Sequence, residues 1–140
     1  MTPAQIDLVR DSFARLAPQA EQVGMAFYAQ LFRRNPSLRA LFPAEITAQS
    51  RKLMVMLSAV VATLDHPQRL EAMVRTLGSR HAGYAVEEAH YADVGAALLG
   101  TLRDGLGADF DQAMEEAWTV AYSFLSSRMI AAQRALASAA

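Results

Sequence analysis

One histidine of this chain stands on a helix face that is otherwise apolar. The apolar residues of segment 69–81 recur at the spacing of a single helix face, and His81 continues that face four residues after Leu77. A neutral imidazole in a protein core needs a partner for each ring nitrogen, and a metal ion can be one of them. The spacing therefore leaves two roles open for His81, a hydrogen-bonded core residue or a metal ligand. The residues on this face are Leu70, Met73, Val74, Leu77 and His81.

Two more polar residues interrupt apolar faces on other predicted helices. Gln49 heads a face that continues with Leu53 and Met56, and Tyr28 lies among the inward residues of the helix before it. Apolar walls with a few converging polar groups are typical of a cofactor pocket, and one neutral imidazole opposite a polar group is how an iron porphyrin is held. The alternative is a hydrogen bond between Gln49 and Tyr28 across a helix crossing, with no ligand at all.

Composition excludes several classes of site. The chain has 140 residues, 53% of them hydrophobic, which suits one domain with a real core. It has no cysteine, so disulfides, thiolate catalysis and iron–sulfur clusters are excluded and any metal must be held by nitrogen or oxygen. The net charge is −1, with twelve arginines and one lysine scattered along the chain, so no nucleic-acid partner is expected. No apolar run approaches the roughly 18 residues of a membrane span and no export signal precedes the first helix, so we expect a cytoplasmic protein without a membrane partner.

The apolar periodicity and the breaker residues predict an all-α fold, with six substantial helices and a short one in a single domain that spans residues 1–140. Gly24 lies in the middle of the second helix, at a cost of about 1 kcal/mol relative to alanine, which predicts that another backbone passes close to it. The predicted helices run from the Thr2 cap to about Ala17, from Pro18 to about Arg34, from Thr47 to about Leu64, from Pro67 through His81, from Glu87 to Arg103, and from Asp109 into the alanine-rich end, with one or two turns at 37–43.

Five motifs in order carry a resemblance to a known family. They are FYAQLFRRNPSLRALFP, AQSRKLMVML, LGSRHAGYAV, EEAHYADVGAALLGTL and EEAWTVAY. Their order and spacing resemble the globin family, specifically the bacterial single-domain haemoglobins related to the globin part of flavohaemoglobins, over about Gln5 to Arg128. The resemblance implies a globin fold around a haem pocket, with haem b (iron protoporphyrin IX) as the cofactor.

The resemblance also implies a role for each polar residue singled out above. His81 matches the proximal histidine that ligates the haem iron. Tyr28 matches the distal tyrosine and Gln49 the distal polar residue on the facing helix, so these two are the implied catalytic residues. Phe42 matches the corner phenylalanine that packs on the porphyrin, and Leu53 matches the apolar neighbour that shapes the gas cavity.

Other matches describe the rest of the implied pocket. Gly24 matches the small residue at a helix crossing, with Ser50 as its partner. Leu77, Val94 and Tyr122 are the further expected walls. Lys52, Arg51 and Arg80 are placed where a haem propionate could be bound, the alternative being that these cations are only solvated. His66 and His90 are expected to be surface or capping residues.

The chain departs from the family pattern on the proximal side. Tyr91 matches a tyrosine that, in flavohaemoglobins, joins the proximal histidine to a glutamate on the last helix. Counting from Trp118 places that glutamate's position at Gln133, which carries no carboxylate. We therefore expect weaker electron donation from the imidazole than a charged partner would produce.

The activity implied by the resemblance is binding of O2, NO, CO and similar gases at an open distal site, with conversion of NO and bound O2 to nitrate. Because 140 residues leave no room for flavin and nicotinamide domains, a separate reductase is the expected electron donor. A second possibility is an oxygen carrier, store or sensor input with no turnover of its own. A third is a haem-free helical interaction domain.

Overall fold

The computed structural model describes the backbone of residues 1–83 and 87–139 and the side chains of residues 1–77 and 87–135. Six α-helices and three short 3-10 segments account for most of this part of the chain. The 3-10 segments are Ala17–Gln19, Pro36–Leu41 and Gly107–Asp109. The helices are α1 (Pro3–Leu16), α2 (Ala20–Arg34), α3 (Thr47–Ala62), α4 (Pro67–Gly83), α5 (His90–Leu106) and α6 (Gln112–Ala139).

The start of α1 has the cap that its sequence predicts. The Gln5 backbone N–H donates to Thr2 Oγ1 at 3.1 Å, and the Thr2 N–H donates to Gln5 Oε1 at 2.9 Å. These two bonds form a capping box, and Pro3 occupies the first turn where no N–H is needed. The predicted first helix is therefore confirmed in its start as well as its extent.

Three predicted helix boundaries were wrong by three residues, namely both ends of the fifth helix and the start of the sixth. The sixth helix begins at Gln112 and not at Asp109, and the Met114 N–H in its first turn donates to Asp111 Oδ1 at 2.9 Å. The fifth helix begins at His90 and not at Glu87, because His90 Nδ1 accepts the Glu87 N–H at 3.0 Å and closes a turn ahead of the helix. The same helix continues through Gly105 to Leu106 and ends at Gly107, whose φ of 58° is the left-handed conformation that glycine tolerates. His90 thus has the capping role expected of it.

The helices pack so that α2 contacts both α3 and α5, while α6 contacts α4 and α1. Their shared core includes Val9, Leu31, Val74 and Trp118, each at most 3% exposed. The Trp118 indole N–H donates to Ser12 Oγ at 2.8 Å in this core. In the described part of the chain, no helix has the length and apolar character needed to cross a lipid bilayer. The cytoplasmic location expected from the sequence stays a prediction.

Candidate functional site

A close helix crossing brings Tyr28 and Gln49 together. Gly24, one turn before Tyr28, faces Ser50, the residue after Gln49. A Cβ built on Gly24 would lie 2.7 Å from the Ser50 carbonyl oxygen and 2.9 Å from the Ser50 Cβ, both closer than real contacts allow. Ser50 is fully buried and its hydroxyl donates to the Ile46 carbonyl at 2.9 Å. The predicted crossing at Gly24 is confirmed, and it sets how far α2 and α3 stand apart at the two polar residues.

Tyr28 and Gln49 form one polar contact in apolar surroundings. Gln49 Nε2 donates to Tyr28 Oη at 3.4 Å, a long and therefore weak hydrogen bond. Tyr28 is only 4% exposed, while Gln49 is half-buried. Burial raises the pKa of the Tyr28 phenol, and the bond from Gln49 opposes that rise. The phenol is therefore neutral at physiological pH. Tyr28 Oη is the acceptor of the bond from Gln49, so this bond does not occupy the O–H group of Tyr28 as a donor.

Aromatic rings hold the ring of Tyr28 on three sides. Phe27 meets it edge-on with ring centres 5.1 Å apart, Phe42 meets it edge-on at 5.2 Å, and Phe32 stacks on it at 5.8 Å. Phe32 and Phe42 also contact each other at 5.5 Å. Aromatic pairs of this kind add about 0.5–1.5 kcal/mol each beyond area burial. We call Tyr28, Phe32 and Phe42 the distal aromatic cluster.

An apolar cavity lies beside this polar pair. Leu53, one turn after Gln49 on α3, lines an internal cavity of about 10 Å³ together with Val23, Phe27 and Leu98. The cavity is close to the smallest volume that holds one water-sized molecule. The predicted role of Leu53 beside a gas-binding site stays a prediction.

A second polar group links α5 and α6. The Tyr91 hydroxyl donates to Gln133 Oε1 in a short hydrogen bond, and the Tyr122 hydroxyl donates to the Tyr91 carbonyl oxygen at 2.6 Å. A Cβ on Gly95 would lie 2.7 Å from Cε2 of Tyr122, so the ring rests directly on the α5 backbone. Tyr91 and Gln133 are in contact, as the count along the last helix predicted. We call Tyr91, Tyr122 and Gln133 the α5–α6 polar cluster.

The tyrosines of this cluster are also uncharged. Burial is the main cause that raises the pKa of Tyr91 to about 12, and the charge of Glu88 adds to it. Burial likewise raises the pKa of Tyr122, with a smaller contribution from Tyr91. Both hydroxyls therefore keep their protons and act as donors.

The remaining predicted site residues fall into three groups. Leu77 is buried and Val94 is half-buried, and their roles as walls of a haem pocket stay predictions. Lys52 is exposed on α3. Arg51 instead pairs with Glu21 of α2 at 3.1 Å, which is a partner that the sequence did not suggest.

The side chains of His81 and Arg80 lie outside the described residues, so their predicted roles stay predictions. Of the other histidines, His66 is exposed beside Asp65 and His90 caps its helix. No group of three or more metal-ligating side chains occurs among residues 1–77 and 87–135.

Sequence reasoning missed Arg39. Its guanidinium donates to the carbonyls of Pro43 and Ala44 at 2.8 and 2.7 Å and lies over the Phe32 ring at 5.1 Å. Arginine three residues before a phenylalanine has no distinctive pattern, so no sequence signal marked it.

Comparison with known proteins identifies the family. The globin family model matches residues 25–129. A flavohemoprotein of Deinococcus radiodurans is 32% identical over 139 residues, which cover 97% of this chain and 34% of that protein. A flavohemoprotein of Vibrio cholerae is 30% identical over 97% of this chain and 35% of its own length. The chain thus spans about a third of the length of these relatives.

Relatives of similar length also match. Neuroglobin of Danio rerio is 29% identical over 87% of this chain and 86% of its own length. Among solved structures, a bacterial globin of Campylobacter jejuni superposes with a TM-score of 0.84 at 24% identity, over 98% of this chain and 99% of its own, and supports the fold alone.

The second solved structure is an engineered carbene transferase, described as a candidate nitric oxide dioxygenase from Rhodothermus marinus. It superposes with a TM-score of 0.88 at 27% identity, over 99% of this chain and 97% of its own. The family model covers most of the chain, and the two superpositions show the same fold. The chain has the globin fold and belongs to the globin family, which implies a haem cofactor and small gas ligands.

Proposed function

We propose that this protein binds O2, NO, CO and similar diatomic gases at haem and converts NO and O2 to nitrate with electrons from a separate reductase. The observation that supports this proposal best is the Tyr28–Gln49 pair, two uncharged hydrogen-bond donors, the first buried and the second half-buried, in an otherwise apolar region. Such a pair can donate to a small ligand without attracting a counter-ion or a large amount of water.

The residues present fit a haem group. His81 would ligate the iron, and Phe42, Leu53, Leu77, Val94 and Tyr122 would form the walls around haem b. Lys52 would lie at the propionate edge. The described donors are neutral, and the aromatic and aliphatic side chains around them match the apolar faces of a porphyrin. Haem, when bound, supplies an iron centre that takes up diatomic gases and supports the oxidation of NO by O2 with one electron per nitrate.

The roles of the distal residues follow from their protonation and burial. A phenol is protonated at neutral pH, and burial raises the pKa of Tyr28 further above this range. Its proton is not used in the bond from Gln49, so it can be donated to a ligand, and Gln49 can reorient its amide toward the same ligand because its present bond is long. A gas that acquires partial negative charge gains more from these donors than one that stays neutral, which favours O2 over CO.

The distal aromatic cluster and Leu53 have a second role. Their side chains keep bulk water away from the Tyr28–Gln49 pair, and hydrogen bonds are electrostatically stronger in a dry, low-dielectric region. Each donated bond is expected to contribute about 0.5–1.5 kcal/mol or somewhat more.

Nitrate formation tests the proposed reaction. Protein loaded with haem is reduced to the ferrous state, freed of excess reductant, equilibrated with O2 and mixed with NO. Nitrate is measured with and without a flavin reductase and reduced nicotinamide cofactor. The proposal predicts stoichiometric nitrate in one turnover and repeated turnover when the reductase is present. Tyr28→Phe is the matched variant, and Thr119→Val, which removes an exposed hydroxyl of α6, is the control. Absence of nitrate in the single turnover would contradict the reaction, whereas nitrate without sustained turnover would favour the carrier function.

One observation favours the carrier, store or sensor function as a second candidate. The Tyr91 hydroxyl donates to the neutral amide of Gln133. A carboxylate at this position would make the iron-ligating imidazole more electron-donating. Gln133→Glu should therefore lower the haem reduction potential and increase reductase-supported nitrate turnover. An unchanged potential in a correctly folded Gln133→Glu variant would show that this position does not act on the iron.

A further inference from the structure

We infer that Arg39 is a positioning residue for Tyr28, acting through the distal aromatic cluster. The inference rests on the proposed function, because Tyr28 matters as a gas-ligand donor only if the site binds gas. Arg39 lies in the 3-10 segment Pro36–Leu41, on the corner between α2 and α3, and its side chain is half-buried. It touches neither Tyr28 nor Gln49 in any described hydrogen bond, so its effect must pass through other groups.

The first of these groups is the backbone of the corner. Arg39 Nη1 donates to the Phe42 and Pro43 carbonyls at 3.4 and 2.8 Å, and Nη2 donates to the Ala44 carbonyl at 2.7 Å. One rigid, planar guanidinium therefore holds three consecutive carbonyls. Since the Phe42 side chain is attached to this backbone, the hydrogen bonds from Arg39 limit where the Phe42 ring can lie.

The second group is the ring of Phe32. The guanidinium carbon of Arg39 lies 5.1 Å from the centre of this ring. Phe32 in turn stacks on Tyr28 at 5.8 Å and contacts Phe42 at 5.5 Å. Arg39 thus restrains both rings that contact Tyr28 from the corner side. It restrains Phe42 by hydrogen bonds to the backbone of the corner, and Phe32 by stacking on the face of its ring.

Two other arginines stack on aromatic rings but lie outside this arrangement. Arg128 lies 5.0 Å from the Phe124 ring centre and has Glu71 at 3.8 Å. Arg103 lies 5.7 Å from the Phe110 ring centre and pairs with Glu115 at 3.1 Å. Both have a carboxylate partner on the surface, whereas the described hydrogen bonds of Arg39 all end on backbone carbonyls of the corner. Arg128 therefore supplies a matched control with nearly the same stacking distance.

Removal of the Arg39 guanidinium has a defined consequence. The three carbonyls would turn toward water and the 42–44 corner would lose its shared donor. Phe42 and Phe32 would then be free to repack, and Tyr28 would lose the restraint on its ring while keeping its burial by Phe27 and the α2–α3 crossing. The predicted defect is misplacement of the Tyr28 hydroxyl, with the fold retained.

Fluorine NMR of protein labelled with fluorotyrosine tests this directly. The spectrum is recorded after reduction under carbon monoxide, so that the sample is diamagnetic whether or not haem is bound, and Tyr28→Phe assigns the Tyr28 signal among the four tyrosines. Arg39→Met should shift or broaden the Tyr28 signal, Arg39→Lys should do so less, and Arg128→Met should leave it unchanged. An unchanged Tyr28 signal in folded Arg39→Met protein would overturn the inference, as would an equal change in Arg128→Met.

Gas release supplies the second measurement. Arg39→Met should release O2 about 2- to 10-fold faster, the range expected for weakening one hydrogen bond, with Arg39→Lys in between and Arg128→Met unchanged.

If the protein binds no gas, the proposed function fails while the NMR result still decides the role of Arg39. If Arg39→Met does not fold, Arg39→Lys decides alone, since an ammonium cannot serve three carbonyls and a ring face in the same geometry. A Tyr28 signal and an O2 release rate identical to those of the unmodified protein in Arg39→Lys would then refute the inference.

Discussion

The two polar clusters of this protein differ in how firmly their hydrogen bonds are made. In the distal aromatic cluster, the polar bond of Tyr28 is long, at 3.4 Å, and comes from a half-buried amide. In the α5–α6 polar cluster, Tyr122 donates to a backbone carbonyl at 2.6 Å, and Tyr91 donates to Gln133. The loosely bonded donors are suited to meet a ligand, whereas the tightly bonded ones are suited to hold two helices in place.

The side chains of Tyr28 and Tyr122 are also packed differently. Tyr28 is held mainly by rings, which fix the plane of its phenol but leave the hydroxyl without a strong partner of its own. Tyr122 lies against Gly95 with no space for a side chain between them. Mutations should therefore affect ligand binding at the first cluster and folding stability at the second.

The largest effect is expected from His81→Ala, which removes the imidazole proposed to ligate the haem iron. Loss of the iron ligand should abolish or greatly weaken haem binding, measured by absorption during titration with haemin. His66→Ala is the matched control, since His66 is exposed. Tight, unaltered haem binding by His81→Ala would rule out His81 as the ligand.

A substantial loss of stability is expected from Gly24→Ala, which should disturb the α2–α3 crossing beside Tyr28 and Gln49 and leave the α5–α6 polar cluster intact. Its Cβ would lie 2.7 Å from a backbone oxygen that cannot move aside cheaply, at a cost of about 1–3 kcal/mol in the free energy of unfolding. Gly100→Ala is the control, because its Cβ would meet only the flexible end of Gln30 and a helix gains up to about 1 kcal/mol from alanine. Urea unfolding compares the two variants, and equal stabilities would show that the crossing is not tight.

Removing one hydroxyl from each cluster should separate the effect on O2 release from the effect on folding stability. Tyr28→Phe should leave stability nearly unchanged and speed O2 release about 2- to 10-fold. Tyr122→Phe should lower the free energy of unfolding by about 0.5–1.5 kcal/mol and leave O2 release unchanged. Stopped-flow release and urea unfolding measure the two effects. A reversed pattern would mean that the assignment of ligand and structural roles is wrong.

The smallest effect is expected from alkaline pH. Burial raises the pKa of Tyr91 from 10.0 to about 12, so the folded state keeps a proton that the unfolded state loses. This contribution to stability is complete below pH 10 and is lost as pH rises through 12, and Tyr28 and Tyr122 have shifts of the same sign. Urea unfolding at intervals through this range should show falling stability. Tyr91→Phe should make the fall shallower, and an identical fall in that variant would exclude Tyr91 as a contributor.

Much of the fold could be predicted from local sequence. The capping box at Thr2 and the break at Asn35 act within a few residues, so their outcome does not depend on distant parts of the chain. Helix ends that depend on a side-chain partner were less predictable, as the start of α5 at His90 shows. For the candidate site, Tyr28, Gln49 and the Gly24 crossing were predicted because each interrupts a helical pattern.

The amino-acid sequence by itself determined the helices, the inward faces and the identity of the polar residues on them, because periodicity and caps are local properties. Only the tertiary structure decided that Arg39 holds the corner and Phe32, that Arg51 turns to Glu21, and that Trp118 bonds to Ser12. The physical reason is that each of these contacts joins a long or polar side chain to a group whose distance depends on how the helices or the corner pack. Helical spacing contains no information about that distance.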